Sequence, residues 1–126
     1  MTVHLDANLV IRMGRSGTEE SRRVRALLAS GARLGVSTIA WSEFLCGPLL
    51  PGEQADARQI LGAPIPFLET DAELAARLFN VGGRRRGSFA DCQIAAVALR
   101  ARAALATENA ADFARFAPAR LMLARS

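Results

Sequence analysis

The chain has 126 residues, which is enough for one domain and too few for a second catalytic domain. Its composition, 51% hydrophobic and 22% charged, is that of a globular protein, and its longest apolar runs fall far short of the roughly 18 residues that a membrane span requires. The net charge is +4 and all 16 basic residues are arginine, which indicates either an anionic partner (a nucleic acid or an acidic protein segment) or a GC-rich genome that favours arginine codons.

The first half of the chain alternates short apolar runs with helix-start signals. Apolar runs predict strands, and apolar residues at helical spacing behind a capping residue predict helices. The predicted elements are a strand at 3–5 that enters Asp6, a helix of unmarked length after it, a helix at 18–29, a strand at 33–36, a helix capped by Ser37 or Thr38 that ends near Gly47, and a weaker helix at 51–61.

The second half continues the alternation. A brief extended segment at 64–68 contains two prolines, which favour the edge of a sheet. Thr70 and Glu73 resemble a capping box that opens a helix running to about Val81. Ser88 begins a further helix, residues 103–106 form a short strand, and residues 121–123 form a weakly marked last strand.

Strands that alternate with helices indicate parallel pairing through crossover helices. We therefore expect one three-layer α/β/α domain over residues 1–126, with a mostly parallel sheet. In open sheets of this kind, chemistry gathers at the carboxyl ends of the strands. This rule directs attention to the acids that follow predicted strands.

Most of the 12 acids fall at helix starts or on polar helix faces, where we expect capping or solvated roles: Glu19, Glu20, Glu53, Asp56, Glu69, Asp71 and Glu73. Four others have apolar neighbours or follow strands. Asp6 follows the first strand, Glu43 lies between Trp41 and Phe44, Asp91 precedes an apolar helix, and Asp112 follows the strand at 103–106. An acid in a buried setting must be paired or must bind a metal.

If folding brings these four acids together, a cation is required. At an effective dielectric constant of about 20, two ionised carboxylates about 5 Å apart repel by about 3 kcal/mol. Carboxylate and water ligands without His or Cys select Mg²⁺ or Mn²⁺ over zinc. The one histidine, His4, is expected to be a packed residue rather than a ligand.

Four segments resemble the acidic motifs of PIN-domain nucleases, in the same order and over nearly the whole chain. They are residues 5–11 (LDANLVI), 42–47 (SEFLCG), 91–98 (DCQIAAVA) and 106–113 (ATENAADF). The small size resembles the VapC-type toxins of bacterial toxin–antitoxin pairs. The resemblance implies a parallel sheet of about five strands, an endoribonuclease dependent on Mg²⁺ or Mn²⁺, a homodimer, and a cognate antitoxin that inhibits the nuclease.

The motif match also assigns roles to residues. Asp6, Glu43, Asp91 and Asp112 carry over as the catalytic, metal-binding acids, and Asn8 and Thr107 match the polar positions that support them. Glu108 departs from the family pattern, which often has arginine there. The family's antitoxins dock on the first two helices, where the apolar residues are either a docking surface or core: Leu9, Val10, Ile11, Leu27 and Leu28.

Two aromatic or basic features have competing interpretations. Arg84, Arg85 and Arg86, bracketed by glycines just before the Asp91 helix, are expected to guide RNA phosphates, unless they form only a solvated loop. Trp41 could stack a base, but its helical spacing with Phe44 favours core packing.

Other functions remain open at this point. One is a catalytically weak PIN-like interaction module with a vestigial acid cluster, and another is a metal-dependent phosphohydrolase or DNA nuclease. RNA cleavage that requires added Mg²⁺ or Mn²⁺ separates these. The N-terminus has no secretory signal, so we expect a cytoplasmic protein without a membrane partner, in which Cys46 and Cys92 are small buried residues rather than a disulfide or a zinc site.

Overall fold

The chain folds around a parallel sheet whose strands alternate with helices. The computed structural model describes residues 1–124. No helix in this range has both the length and the apolar character needed to cross a membrane. The elements are β1 (Thr2–Leu5), α1 (Ala7–Arg12), α2 (Glu19–Ala29), β2 (Arg33–Gly35), α3 (Thr38–Cys46), α4 (Glu53–Leu61), α5 (Glu69–Val81), α6 (Phe89–Arg100), β3 (Ala104–Ala106), α7 (Ala110–Phe113) and a 3-10 segment (Ala114–Ala119).

The sheet has β1 at its centre, in the order β2-β1-β3, and both pairings are parallel. One isolated parallel bridge lies on each side of these strands. The first joins Ser37 to Ile65, and the second joins Leu105 to Leu123. Within residues 1–124 the sheet therefore has three strands and two single bridges, rather than the five or so strands that the family resemblance implies. The expected α/β fold with a parallel sheet is confirmed, and the prolines flanking Ile65 lie at the sheet edge, as predicted.

The central strand is buried on both faces, which is why it is an uninterrupted apolar run. Val3 and Leu5 are fully buried, and His4 on the opposite face is only 2% exposed. In β3 all three residues are small or apolar and buried. These two strands end side by side, since Leu5 pairs with Ala106, and the residues that follow them become neighbours.

The start of α5 differs from the prediction. Thr70 is not the capping residue: the helix begins at Glu69, and the Leu68 N–H donates to the Asp71 carboxylate at 2.8 Å. Of the two roles expected for Asp71, capping is the one observed, and its side chain is buried, with 1% exposed. The Arg100 Nε donates to it at 2.8 Å, which makes burial of this charge between α5 and α6 possible.

Two further local predictions are resolved by side-chain contacts. Ser37, not Thr38, caps α3 by accepting from the Ala40 N–H at 3.1 Å. Thr38 instead accepts from the Phe67 N–H and ties the edge segment to the helix start. Cys92 is buried as expected, but Cys46 is exposed because it lies in the last turn of α3.

Candidate active site

The four selected acids lie on four separate elements that meet near the carboxyl end of the sheet. Asp6 caps α1 directly after β1, Glu43 lies on α3, Asp91 is in the first turn of α6, and Asp112 is in α7 after β3. The carboxyl ends of parallel strands share one edge of the sheet, so Asp6 and the loop before α7 are adjacent. This adjacency comes from pairing of residues about 100 positions apart in sequence.

Asp6 is held by a short hydrogen-bond network. Its Oδ1 accepts from the Ala7 N–H at 2.8 Å, and its Oδ2 accepts from the Thr107 hydroxyl at 2.7 Å. The same hydroxyl accepts from the Asn109 N–H at 2.9 Å. Because Asp6 is only 5% exposed, these bonds fix the direction of its carboxylate. Thr107 thus contacts the acid beside which the family resemblance places it.

The acids affect one another electrostatically. Desolvation by the surrounding protein, then the negative charges of Asp6 and Asp91, raise the pKa of Glu43. Desolvation and the charge of Asp6 also raise the pKa of Asp91, with a smaller contribution from Asp112. Asp6 and Asp112 therefore act on Glu43 and Asp91 within one electrostatic cluster, and this cluster favours a nearby cation.

Two arginines offset part of this negative charge. Arg85 forms an ion pair with Asp112 at 3.1 Å, and both side chains are well exposed. Arg115 lies with its Nη2 4.0 Å from Asp91 Oδ2, and its charge lowers the pKa of Asp91 against the effect of the neighbouring acids. Positive charge from the chain itself thus faces two of the four acids.

The chemistry of the donor set fits a hard divalent cation. Oxygen is the only donor type among the four acids, and their mutual repulsion would be relieved by a bound Mg²⁺ or Mn²⁺. Within residues 1–124, no three acidic, histidine or cysteine side chains are gathered closely enough to hold a metal ion in the arrangement seen. Asp91 and Asp112 lie beside Arg115 and Arg85 instead.

The remaining expected site residues lie at the rim. Asn8 is exposed on the first turn of α1, and no hydrogen bond of its side chain is present among residues 1–124. Arg84, Arg85 and Arg86 are exposed between α5 and α6, where Arg85 reaches the cluster through Asp112. Arg84 adopts a left-handed backbone conformation (φ +54°), and its N–H donates to the Phe79 carbonyl at 2.9 Å, which fixes the turn.

Arg23 was not among the residues selected from the sequence, and it explains the departure at Glu108. Its Nη1 donates to the Thr107 carbonyl at 2.6 Å and to Glu108 Oε1 at 3.2 Å, while Nη2 donates to the Ala124 carbonyl at 3.0 Å. The glutamate is therefore the partner of an arginine on α2. No local signal reveals this pair, because the two residues are 85 positions apart.

Arg115 was also not selected, although a weak signal exists. It follows Asp112 by three residues, a spacing that brings residues together on one turn of a helix. In the structure its Nη1 donates to the Asp112 carbonyl at 2.6 Å rather than to the carboxylate. The sequence spacing therefore predicts that Arg115 lies near Asp112, but it does not predict that Arg115 binds the carbonyl oxygen of Asp112.

The apolar residues of α1 and α2 are mainly core. Leu9, Val10 and Leu27 are buried, Ile11 is half-buried, and Leu28 is 45% exposed.

Trp41 packs against Phe44 with ring centroids 5.1 Å apart, in agreement with the core interpretation. Trp41 also lines an open groove of about 550 Å³ beside α4, together with Leu49, Leu50 and Arg58.

Comparison with known proteins gives one family and several structures. The family model described as PIN domain matches residues 3–118. The VapBC2 complex of Rickettsia felis, solved with a DNA fragment from its promoter, is 20% identical over 98% of both chains with a TM-score of 0.73. FitAcB from Neisseria gonorrhoeae is 21% identical over 98% of this chain and 96% of that chain, also with a TM-score of 0.73.

A third structure is somewhat closer in sequence. A toxin–antitoxin complex from Klebsiella pneumoniae is 27% identical over 89% of this chain and 90% of that chain, with a TM-score of 0.68. No curated protein matches the sequence. The structural similarity extends over nearly the full length of the chain in the first two comparisons.

Proposed function

Since the chain belongs to the PIN domain family, we propose that it is a Mg²⁺- or Mn²⁺-dependent endoribonuclease that acts in the cytoplasm as the toxin of a toxin–antitoxin pair. The observation that carries the proposal is the electrostatic cluster of four carboxylates from four elements. The similarity of the chain to structures of toxin–antitoxin complexes supports the proposed role as a toxin.

In this proposal Asp6, Glu43, Asp91 and Asp112 hold the ion, and Thr107 keeps the Asp6 carboxylate pointing into the cluster. A bound ion there would activate water for attack on a phosphodiester and offset the charge of the departing oxygen. The exposed Arg84, Arg85 and Arg86 would attract the phosphates of the RNA from the same side.

Cleavage by the purified protein tests the enzymatic part. We expect single-stranded RNA to be cut only when Mg²⁺ or Mn²⁺ is added, and Asp91→Asn to lose most of this activity, because the amide keeps the shape but not the charge. Glu73→Gln, which removes an exposed acid from α5, is the matched control and should cut at the wild-type rate. Equal cleavage by Asp91→Asn would contradict the site, and cleavage of DNA but not RNA would favour the DNA nuclease alternative.

Expression in cells tests the toxin part. We propose that a cognate antitoxin binds the chain and that the chain forms a homodimer. The chain expressed alone should arrest growth, Asp6→Ala should relieve the arrest, and co-expression of the neighbouring open reading frame should restore growth through a stable complex. Harmless expression at verified protein levels in the native host, with no antitoxin gene present, would overturn the toxin role and leave the nuclease.

A further inference from the structure

Arg115 is fixed by contacts with several elements near the acidic cluster. Its guanidinium lies 4.4 Å from the centre of the Phe116 ring, and its Nη1 donates to the Asp112 carbonyl at 2.6 Å. Its aliphatic stem passes Gly82 at the end of α5, where an added Cβ would lie 3.4 Å from Arg115 Cδ and 2.9 Å from the Leu78 carbonyl oxygen. The side chain is only 17% exposed, so its position is set by packing.

One nitrogen of Arg115 has no hydrogen-bond partner. Nη2 is buried without one in the described part of the chain, and lies 4.0 Å from Asp91 Oδ2, beyond hydrogen-bond distance. A buried charged donor normally has a partner. Among the described residues, the only carboxylate within 4.0 Å of the Arg115 guanidinium is that of Asp91, and no hydrogen bond joins the two groups.

We propose that Arg115 is a positioning residue that acts as the resident counter-cation of the acidic cluster, against which a divalent ion competes for Asp91. This inference rests on the proposed function. Arg115 stabilises the metal-free fold by offsetting the repulsion among the acids, and it lowers the affinity for the ion by the same interaction. Arg85 has a smaller effect, because its side chain is 58% exposed and its charge is screened by solvent.

Two variants separate the charge of Arg115 from its packing. Arg115→Met keeps an unbranched apolar stem beside Phe116 but removes the charge, and Arg115→Lys keeps the charge. By calorimetry, Arg115→Met should bind Mn²⁺ about three- to tenfold more tightly than the wild type. Arg115→Lys should bind within about twofold of the wild type. Arg25→Met removes an exposed arginine from α2 as the matched control and should also leave the affinity within about twofold.

Thermal unfolding provides the second readout. In the presence of a chelator, Arg115→Met should melt below the wild type, and added Mn²⁺ should raise its melting temperature by more than it raises that of the wild type. If Arg115→Met binds Mn²⁺ no more tightly than the wild type does, the counter-cation role is overturned. The proposed function stands in that case, provided that the wild type itself binds Mn²⁺. Absence of Mn²⁺ binding by the wild type at millimolar concentration would overturn both.

If Arg115→Met does not fold, nuclear magnetic resonance on the wild type tests the counter-cation role of Arg115. The Nε–H resonance of Arg115 in ¹⁵N-labelled protein should shift during a Mg²⁺ titration as Asp91 turns away, while that of Arg25 should not. An Arg115 resonance that stays unchanged while Mg²⁺ binds would contradict the proposal.

Discussion

At the scale of single residues, His4 shows how burial changes a titration. It is 2% exposed, its Nδ1 has no hydrogen-bond partner among the described residues, and burial, followed by the positive charge of Arg100, lowers its pKa to about 4. The folded protein therefore holds this ring neutral at pH values where the unfolded chain protonates it.

We expect this histidine to reduce the free energy of unfolding at acidic pH. Because its folded pKa is lower than the unfolded value of 6.5, its contribution is present above pH 6.5 and is lost as the pH falls towards 4. The full loss is about 3 kcal/mol. Urea unfolding at pH 7 and at pH 4.5 measures the free energy of unfolding. Between these two pH values, this free energy should decrease more for the wild type than for His4→Gln. Parallel pH profiles for the two proteins would contradict this.

Thr107 is the residue-scale support of Asp6. Thr107→Val keeps the shape but removes the donor to Asp6 Oδ2 and the acceptor for the Asn109 N–H. We expect a loss of about 1–3 kcal/mol in unfolding free energy and about tenfold weaker Mn²⁺ binding, because the carboxylate loses its fixed direction. Urea unfolding and calorimetry measure the two effects.

The control for this change is Thr70→Val, which alters an exposed threonine on α5 and should change neither quantity. Tight Mn²⁺ binding by Thr107→Val, equal to that of the wild type, would show that Asp6 does not depend on this hydroxyl for its orientation.

At the scale of elements, one ion pair joins the end of α6 to the start of α5. Arg100 in the last turn of α6 donates to Asp71 at the start of α5 and to the Pro66 carbonyl on the sheet edge. Asp91 lies in the first turn of the same helix. A contact at one end of α6 thus helps to place the acid at its other end.

Asp71→Asn should destabilise the protein by about 2–3 kcal/mol. The change leaves the Arg100 charge without its partner, but the Arg100 side chain is 33% exposed, so the cost is less than for a fully buried pair. Urea unfolding gives the value, and Glu73→Gln on the exposed face of α5 should stay within about 0.5 kcal/mol of the wild type. Equal effects of the two substitutions would mean that this ion pair contributes little.

At the scale of the whole molecule, an ion bound by four elements would stabilise the entire fold. A ligand that binds only the folded state at about 100 times its Kd adds about 2.7 kcal/mol, which corresponds to several degrees in Tm for a chain of this size. Mn²⁺ should therefore raise the Tm of the wild type, and Asp91→Asn should reduce this rise.

Asp56→Asn, which changes an exposed acid on α4, is the control and should keep the full rise in Tm. A thermal-shift titration with no increase up to millimolar Mn²⁺ would count against binding by these acids. An equal increase for wild type and Asp91→Asn would place the ion elsewhere on the protein.

The sequence by itself determined the order of β1 to β3 and of α1 to α6, because apolar periodicity and capping residues act within a few positions of the chain, whereas α7 was not predicted. It determined that Asp6 ends β1 and that four motifs occur in the order typical of the PIN family, whose model matches residues 3–118. The start of α5 was displaced, because Asp71 accepts from the Leu68 N–H and pairs with Arg100, and residue 123 forms a single bridge in place of the predicted strand at 121–123.

The tertiary structure alone decided which charges are paired between separate elements. Arg23 binds Glu108, Arg100 binds Asp71, and Arg115 faces Asp91, and these partners are separated by 85, 29 and 24 positions in the sequence. With 16 arginines and 12 acids in the chain, local spacing cannot select among so many combinations. The selection depends on which helices pack together and on how far each side chain is removed from water, and both are properties of the folded chain.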